Sequence, residues 1–353
     1  MSSRRPTLDT VAREVGVSRA TVSNAYNRPD QLSERLRERI LSAAARLGYA
    51  GPDPVARSLA TQRSGAVAVM LDRGLSAAFS DPALSIMLDT LASTVDSGER
   101  SLVLMPGGAN GGGPSPAAVA RVHADVVIAY SLPDDAPAIT AVRQRGLPLV
   151  VVDQTGADVR VADRAGAALA ARHVIGLGHR DVGILSLDLS PDGHTGPVSP
   201  QRIGSARFQV TAQRLSGYFD HVPPSTPVWE AAESRRDLGR EGAAWLLAQS
   251  PRPTALLCMS DELAIGAIRA ARDSGLAVPD DLTIVGFDDT PAAAWADPPL
   301  TTMRQDLLDK GRRTGEQALR LLDGRQPGEP VTIPVTLVAR ASSGPAPARR
   351  LPR

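Results

Sequence analysis

Cysteine and lysine are almost missing from this chain of 353 residues, which contains one of each, Cys258 and Lys310. A single cysteine cannot form an internal disulfide, and its position in an apolar run predicts a buried, unreactive thiol in a reducing compartment. The only lysine follows Asp309, so the chain has no Gly-Lys-Ser/Thr loop of the kind that binds nucleotide phosphates. The glycine-rich stretch at residues 107–113 lacks the G-x-G-x-x-G spacing, and we interpret it as a flexible surface loop.

Long apolar segments and metal-binding motifs are missing too. No run of eighteen apolar residues could span a membrane, and no apolar stretch near the N-terminus resembles a signal peptide, so we expect a cytoplasmic protein. The five histidines are scattered and form no H-E-x-x-H motif. We expect structural roles for His173 and His179 and a solvated loop position for His194. These absences argue against an enzyme and predict neither a cofactor nor a metal.

The segment from Thr7 to Tyr26 predicts two short helices joined by a tight turn. Thr7 and Ser18 are suitable N-caps, and Gly16 supplies the left-handed residue that ends the first helix. A third helix is predicted between Ser33 and Gly48, because two short helices alone cannot bury their apolar stripes. The inward-facing positions are Leu8, Val11, Ala12 and Val15, then Val22 and Ala25, then Leu36, Ile40, Leu41, Ala44 and Leu47.

By pattern alone, these three helices suit an ordinary all-α domain as well as a DNA-reading head. The distribution of charge favours a DNA-reading head over an ordinary all-α domain. Residues 1–63 contain 11 arginines and 6 acidic residues, a net charge of +5, whereas the rest of the chain has 28 basic and 32 acidic residues, a net charge of −4. The near-neutral total of +1 therefore combines a basic N-terminal segment, which attracts phosphate, with a slightly acidic body.

The run VAREVGVSRATVSNAYN, the later LGY and the ARSL at residues 56–59 resemble the lactose-repressor/galactose-repressor family of bacterial regulators. The resemblance implies that Arg19, Ala20 and Asn24 read base edges, with Arg19 a donor to guanine and Asn24 a partner for adenine. It implies backbone contacts for Ser18, Thr21 and Ser23.

The ARSL segment resembles the hinge helix of that family. A helix this short is expected to form only on DNA, because helix nucleation is costly. The resemblance implies that Arg57 contacts DNA and that Leu59 inserts into the minor groove, although a plain linker leucine is the alternative for Leu59. Asp53 departs from the asparagine that relatives usually have there.

About 290 further residues predict an α/β body. Apolar runs alternate with helical stretches and lack polar alternation, which is typical of parallel strands covered on both faces. A body of this length usually divides, so we expect two lobes with a cleft between them. The predicted strands are residues 66–71, 102–105, 126–130, 149–152, 182–185, 255–259 and 283–287. Many are ended by polar residues, where doubly wound sheets bind ligands: Asp72, Asp153, Ser186, Ser260 and Asp288.

The body also resembles the family's effector domain, through RHVIGLGHRDV from Arg172, SDELAIGAIRAARDSG from Ser260, VPDDLTIVGFDD from Val278 and PPLTTMRQD from Pro298. That domain is similar in fold to periplasmic sugar-binding proteins. The fold predicted is thus an N-terminal all-α helix-turn-helix head plus a two-lobed, doubly wound α/β body. The predicted domains are residues 1–52 (head), 53–63 (hinge and linker), 64–340 (effector binding and dimerisation) and 341–353 (disordered tail).

The resemblance implies effector contacts in the cleft, and the predicted set is Asp72, Phe79, Arg214, Ser260, Asp261, Asp288 and Trp295. Carboxylates and a guanidinium suit a polyhydroxylated ligand. An ion pair between the lobes is the alternative for Arg214 and Asp288, and capping of a helix is the alternative for Ser260 and Asp261. Phe79 is the one aromatic residue near the position where relatives carry an aromatic pair.

Two tryptophans and one long loop add expectations about the cleft. Trp229 is predicted near the cleft, with a position in the core or at the surface as the alternative. Residues 188–206 form a loop longer than usual, expected to extend over the cleft or to join a dimer contact.

The function predicted is a sequence-specific, DNA-binding transcriptional regulator. We expect a repressor that binds a pseudo-palindromic operator as a homodimer and responds to a small effector, a sugar or sugar derivative. No terminal leucine heptad indicates a tetramer. The alternatives are a sugar-binding protein without regulatory DNA binding, and a regulator of a non-sugar ligand such as a nucleobase.

Overall fold

A computed structural model describes residues 6–51, 63–96 and 100–347 and divides the chain into two compact units, Met1–Ser64 and Gly65–Arg353. The predicted hinge, with Asp53, Arg57 and Leu59, lies outside the described residues.

The first unit contains three helices, α1 (Leu8–Val15), α2 (Arg19–Asn27) and α3 (Glu34–Leu47), with a 3-10 turn at Pro29–Gln31. Gly16 and Gly48 end α1 and α3 at φ 74° and 70°, a left-handed conformation that glycine adopts without a steric penalty. The apolar stripes of the three helices meet in one small core, as the spacing predicts. Its buried members are Val11, Ala12, Val22, Ala25, Ile40 and Ala44.

The body is built around two sheets, and each of the seven predicted strands is present with ends within one residue of the prediction. The first sheet has the order β12-β5-β4-β3-β1-β2, and all of its strands are parallel. Its strands are β1 (Ala66–Met70), β2 (Ser101–Met105), β3 (Val126–Tyr130), β4 (Leu149–Val152), β5 (Val159–Val161) and β12 (Val331–Ile333). Its helices are α4 (Leu75–Ser80), α5 (Pro82–Val95), α6 (Pro116–Arg121), α7 (Pro137–Gln144) and α14 (Leu307–Leu322).

The second sheet has the order β13-β11-β10-β9-β6-β8-β7, with antiparallel strands at its two edges. Its strands are β6 (Val182–Ser186), β7 (Gly196–Pro197), β8 (Val228–Glu230), β9 (Ala255–Cys258), β10 (Thr283–Asp288), β11 (Thr301–Gln305) and β13 (Val335–Val338). Its helices are α8 (Asp163–Gly176), α9 (Pro200–Gly204), α10 (Gln209–Phe219), α11 (Arg236–Leu247), α12 (Asp261–Asp273) and α13 (Pro291–Trp295).

The chain passes three times between the lobes that these sheets define: after β5, after β11 and after β12. Parallel strands require crossover connections, and the helices of those connections cover both faces of each sheet. The two-lobed, doubly wound architecture predicted from the sequence is confirmed. The cleft follows from it, because the carboxyl ends of the central strands in both sheets face the same space.

Two predictions, one about the tail and one about the glycine stretch, are corrected, whereas the expected role of the loop at residues 188–206 stays a prediction. Residues 341–347 are not a disordered tail: Ser342 is fully buried, and its hydroxyl donates to the Ile284 carbonyl at 2.6 Å. The glycine stretch at residues 107–113 is not a free surface loop, because the Gly112 N–H donates to Asp72 Oδ1. The long loop at residues 188–206 folds into β7 and α9 and is held by Arg202, which binds the buried Glu230.

Candidate functional site

The N-terminal end of α2 is the exposed polar surface of the first unit. Ser18 caps the helix, and its hydroxyl accepts the Thr21 N–H at 3.0 Å. Ser18, Arg19 and Ala20 are exposed, and the Arg19 side chain keeps 69% of its surface accessible and lies 4.0 Å from the exposed Asp9 carboxylate. An exposed guanidinium at the start of a capped helix is free to meet the edge of a base.

The other predicted DNA contacts of α2 lie one turn further on. Thr21, Ser23 and Asn24 are half-buried. The Thr21 and Ser18 hydroxyls lie 2.8 Å apart, and the Asn24 amide donates to Gln31 Oε1 at 3.3 Å. The six residues therefore lie together along one short stretch of helix. The predicted contacts of Arg57 and Leu59 fall outside the described residues and stay predictions.

In the body, a cavity of about 190 Å³ lies between the lobes, at the carboxyl ends of the strands of both sheets. Small-molecule sites typically measure about 300–1,000 Å³, so this space favours a compact ligand. The predicted residues Asp72, Arg214, Ser260 and Asp288 all line it, together with residues outside the predicted set of effector contacts, of which the sequence had marked Asp153 as a polar strand end. These additional polar residues are Arg73, Ser80, Asp81, Tyr130, Ser131, Asp153, Asp188, Thr211, Glu233, Ser234, Arg235, Gln305 and Lys310.

Backbone strain is concentrated at the edge of this cavity. Among the described non-glycine residues, positive φ occurs at Ser131, Asp153, Asp288 and Asp289, with values of 50°, 57°, 118° and 59°. Each follows or ends a strand, and the first three line the cavity. Such conformations cost of order 1–3 kcal/mol and persist only where the surroundings impose them, typically at functional sites.

Arg214 connects carboxylates at the base of the cavity. Its Nε donates to Asp163 Oδ1 at 2.8 Å, and one terminal nitrogen donates to the Met259 carbonyl at 2.5 Å and lies 3.9 Å from Asp288 Oδ1. The guanidinium also stacks 3.6 Å from the centre of the Phe287 ring. Burial is the main cause that raises the pKa of Asp163 and the pKa of Asp288, and Arg214 opposes both shifts. Asp163, Asp288 and Arg214 all belong to the second lobe, so these contacts are not the ion pair between the lobes that was the alternative, and Arg214 also lines the cavity.

An ion pair between Arg73 and Asp188 joins the two lobes across the cavity. Arg73, after β1, donates to Asp188, after β6, at 2.6 Å, and both side chains are less than one-fifth exposed. Burial raises the pKa of Asp188 to about 7, although Arg73 acts in the opposite direction. Asp72 Oδ1 accepts the Gly112 N–H at 2.5 Å, so the glycine loop positions this predicted contact residue.

Lys310 lies on α14 and is 3% exposed on the cavity wall. It forms an ion pair with Asp153, and its Nζ is 3.3 Å from the Tyr130 hydroxyl. Burial acts to lower the pKa of Lys310, but Asp153 and Tyr130 outweigh burial and raise it, so the amine is charged. Burial also raises the pKa of Tyr130 to about 12.

The helix-capping alternative describes Ser260 but not Asp261. The Ser260 hydroxyl accepts the Leu263 N–H at 3.2 Å at the start of α12 and also bonds Ser234. Asp261 is fully buried and does not line the cavity. Its carboxylate accepts the Thr290 N–H at 2.7 Å and the Thr302 hydroxyl at 2.5 Å, which leaves it occupied by the protein.

Two predicted aromatic contacts are not at the cavity. Phe79 is 77% exposed, because the six-residue helix α4 turns it outward while its neighbours Ser80 and Asp81 face the cleft. Trp295 is 88% exposed and borders a separate surface depression beside Ile268. Neither supplies an aromatic platform for a ligand.

The remaining residues that the sequence analysis singled out take part in the packing and hydrogen bonding of the fold. Trp229 is in the core and packs on Trp245 with ring centres 5.6 Å apart. His179 is buried between Thr254 and the Gly344 carbonyl, and His173 bonds Ser343. Cys258 is buried and has no disulfide partner.

Within the described ranges, no helix has both the length and the apolar character of a membrane-spanning segment. The same part of the chain holds no cluster of three or more His, Cys, Asp or Glu side chains suited to a metal ion.

A capped, exposed helix in a basic three-helix unit, joined in sequence to a two-lobed α/β body with a polar cavity, defines a ligand-binding regulator of the helix-turn-helix class. Comparison with known proteins agrees. Residues 7–51 match the profile of bacterial regulatory proteins of the lacI family, and residues 171–343 match the periplasmic binding protein-like domain.

Three relatives extend the match to nearly the whole chain. The HTH-type transcriptional regulator Rv3575c of Mycobacterium tuberculosis is 40% identical over 356 residues, which cover 97% of this chain and 98% of that protein. The lactose operon repressor of Escherichia coli is 31% identical over 349 residues, covering 96% and 90%. A crystal structure of the lac repressor dimer bound to operator and the anti-inducer ONPF superposes with a TM-score of 0.76 at 26% identity, covering 97% and 100%. The chain belongs to the LacI family of HTH-type transcriptional regulators.

Proposed function

We propose that this protein is a repressor that binds a pseudo-palindromic operator as a homodimer, and that a small polyhydroxylated effector, a sugar or sugar derivative, controls its affinity for DNA. The observation that carries the proposal is the pairing, in one chain, of the exposed α2 terminus at Ser18, Arg19 and Ala20 with a cavity between the lobes that charged and polar side chains line. The family relationship and the operator-bound dimer of the lac repressor support the DNA and dimer parts. DNA binding places the protein in the cytoplasm.

In this proposal, Arg19 donates to guanine and Asn24 pairs with adenine in each half-site, while Ser18, Thr21 and Ser23 hold the phosphate backbone. Ala20 offers only a methyl contact. Asn24 must release its bond to Gln31 when it meets a base. Arg57 and Leu59 act in the hinge.

The cavity supports a ligand with several hydroxyl groups. Asp72, Arg214 and Asp288 present oxygen acceptors and guanidinium donors to one cavity, and such groups form hydrogen bonds with hydroxyls. The effector acts only if it binds one arrangement of the protein better than another. A coupling of about 1–3 kcal/mol would change operator affinity roughly 5- to 150-fold.

The DNA part is tested by selecting bound sequences from a random duplex library with the full-length protein at moderate salt. We expect a palindromic consensus. Arg19→Ala should cost about 1–3 kcal/mol on the consensus site and relax preference at one base pair per half-site. Arg46→Ala removes the same charge from an exposed position on α3 and is the matched control.

The control should weaken binding to all sequences equally or not at all. If Arg19→Ala also weakens binding to every sequence equally, Arg19 contacts only phosphate. If no sequence is enriched, the regulator proposal fails and a sugar-binding protein without regulatory DNA binding takes its place.

A further inference from the structure

The only lysine of the chain is buried at the cavity. All other basic residues are arginine, so Lys310 stands apart from the composition of the chain. Its side chain is 4% exposed, and it lines the wall of the cavity from α14. Arginine is a planar, five-donor fork, whereas lysine carries a compact ammonium on a flexible stem. Every other Lys or Arg position of the chain is arginine, so the presence of the compact lysine ammonium at this one position is a specific feature of the site.

The protein satisfies only part of the Lys310 ammonium. An ammonium has three N–H donors. The structure gives it two polar partners, the Asp153 carboxylate and the Tyr130 hydroxyl, and its Nζ lies 4.9 Å from the centre of the Tyr130 ring. Asp153 is fixed in turn, because its other oxygen accepts the Val161 N–H at 3.2 Å. The third donor is available to a group in the cavity.

An acceptor without a partner lines the same cavity. Gln305, at the end of β11, is 5% exposed, and its Nε2 donates to Asp288 Oδ1 at 2.5 Å. Its Oε1 is buried and has no hydrogen-bond partner among the described residues. A buried amide oxygen left unpaired costs about 1–3 kcal/mol, so a ligand that donates to it is bound more tightly. The cavity therefore offers a donor at Lys310 and an acceptor at Gln305, the two functions that a hydroxyl group combines.

The ion pairs around the cavity favour an uncharged ligand over an anionic one. Every cation that lines it already has a carboxylate partner: Arg73 with Asp188, Arg214 with Asp163, Arg235 with Glu233, and Lys310 with Asp153. The lining contains six acidic side chains against these four cations. An anion would therefore meet no lining cation that lacks a carboxylate partner, whereas an uncharged ligand needs no such cation.

We infer that Lys310 is a specificity-determining contact for an uncharged polyhydroxylated effector, to which its ammonium donates a hydrogen bond while Gln305 accepts one. Asp153 and Tyr130 act as positioning residues that hold the ammonium. The inference rests on the proposed function, because it assigns the chemistry of the same effector site.

The single lysine makes the test direct. Protein labelled with ¹³Cε-lysine gives one lysine signal, which is titrated with neutral pentoses, hexoses, disaccharides and polyols, and with the matching sugar phosphates and uronic acids. Binding is measured independently by the shift in Tm. We expect at least one neutral compound to raise Tm and to move the Lys310 signal. No phosphate or uronate should bind more tightly than its neutral parent.

Variants distinguish the loss of a ligand contact from a loss of folding stability. Lys310→Met alone leaves the Asp153 carboxylate buried without a partner, so the test uses Lys310→Met with Asp153→Asn, which removes both charges. The double variant should bind the neutral ligand at least about tenfold more weakly, the loss expected for a charged hydrogen bond. Arg312→Met, on the exposed side of the same helix, is the control and should bind within about twofold of the parent.

Each other result is decisive. A neutral ligand that raises Tm without moving the lysine signal, or that binds the double variant as tightly as the parent, overturns the role of Lys310 and leaves the proposed function intact. Tighter binding of a phosphate or uronate overturns the uncharged class. If no compound in the panel binds, both the Lys310 contact and the polyhydroxylated effector are rejected, while the selection for operator DNA still decides DNA binding.

Discussion

Replacing Arg214 with methionine should destabilise the body strongly at alkaline pH and much less at acidic pH. Arg214 is 3% exposed, and its guanidinium is the only cation in direct contact with Asp163, itself 6% exposed, in the part of the chain that the structure describes. Removing one partner of a buried ion pair typically costs about 3–5 kcal/mol, because the other charge remains without compensation. We expect a loss of that size at pH 8.

The pH dependence follows from the two carboxyls beside Arg214. Burial already raises the pKa of Asp163 and the pKa of Asp288 in the folded protein, and Arg214 limits both shifts. Without Arg214, both pKa values rise further. A carboxyl with a higher pKa in the folded state than in the unfolded state binds its proton more tightly when folded, so stability falls as pH rises between those two values. Each carboxyl affected adds up to about 1.4 kcal/mol per pH unit.

The assay is urea unfolding at pH 5 and pH 8, followed by tryptophan fluorescence, which reports on the body because all three tryptophans follow residue 228. Arg214→Met should lose far more stability at pH 8 than at pH 5. Adding Asp163→Asn should recover part of the loss at pH 8. Arg240→Met breaks an ion pair with Asp273 whose two side chains are more than half exposed, and this control should change little at either pH.

The reasoning would be refuted by an Arg214→Met variant with the same loss at both pH values, or by a double variant no more stable than the single one at pH 8. Either outcome would show that Arg214 contributes through packing on Phe287 rather than through charge.

Two further predictions concern stability and reactivity. A Cβ atom at Gly266 on α12 would lie 2.2 Å from the Arg236 carbonyl oxygen of α11, so Gly266→Ala should cost about 1–3 kcal/mol in urea unfolding. Gly176→Ala, at an open helix position, should be neutral or raise stability by up to about 1 kcal/mol; equal effects would contradict the packing argument. Burial raises the pKa of Cys258, so iodoacetamide should label the native protein far more slowly than the urea-unfolded chain. Rapid labelling of the native protein would show that β9 is accessible.

Sequence periodicity predicted the long, continuously apolar strands and missed the short ones. Strands β5, β8 and β12 have three residues each, and β11 reads TTMRQ, so neither length nor hydropathy marks them as strands. They are stabilised by pairing with neighbours distant in sequence, as β12 pairs with β5. The tail prediction failed for the same reason: Ser342 and Gly344 are polar or small, yet they bond residues in the second sheet.

The sequence predicted those cavity residues that lie at the carboxyl end of a strand. Asp72, Ser260 and Asp288 follow or end apolar runs and line the cavity, and Arg214 was found through a family motif. Lys310 was missed because it lies inside the amphipathic helix α14, where an isolated cation resembles an ordinary surface residue. Its uniqueness in the composition was the available signal. Phe79 was placed wrongly because residue type alone does not reveal which side of a short helix faces the cleft.

The contacts between the lobes indicate which interactions an effector would use to favour one arrangement of the body. Arg73 and Asp188 approach from different lobes, and a side chain at Gly112 would contact Pro191, which follows β6 in the other lobe. Such contacts exist only when the lobes are close, so a ligand that also touches both lobes must strengthen the same arrangement. Lys310 and Asp153 belong to the first lobe, whereas Gln305 and Asp288 end strands of the second. A single hydroxylated ligand held by Lys310 and Gln305 would therefore bridge the lobes, and its binding energy would be available to shift their equilibrium.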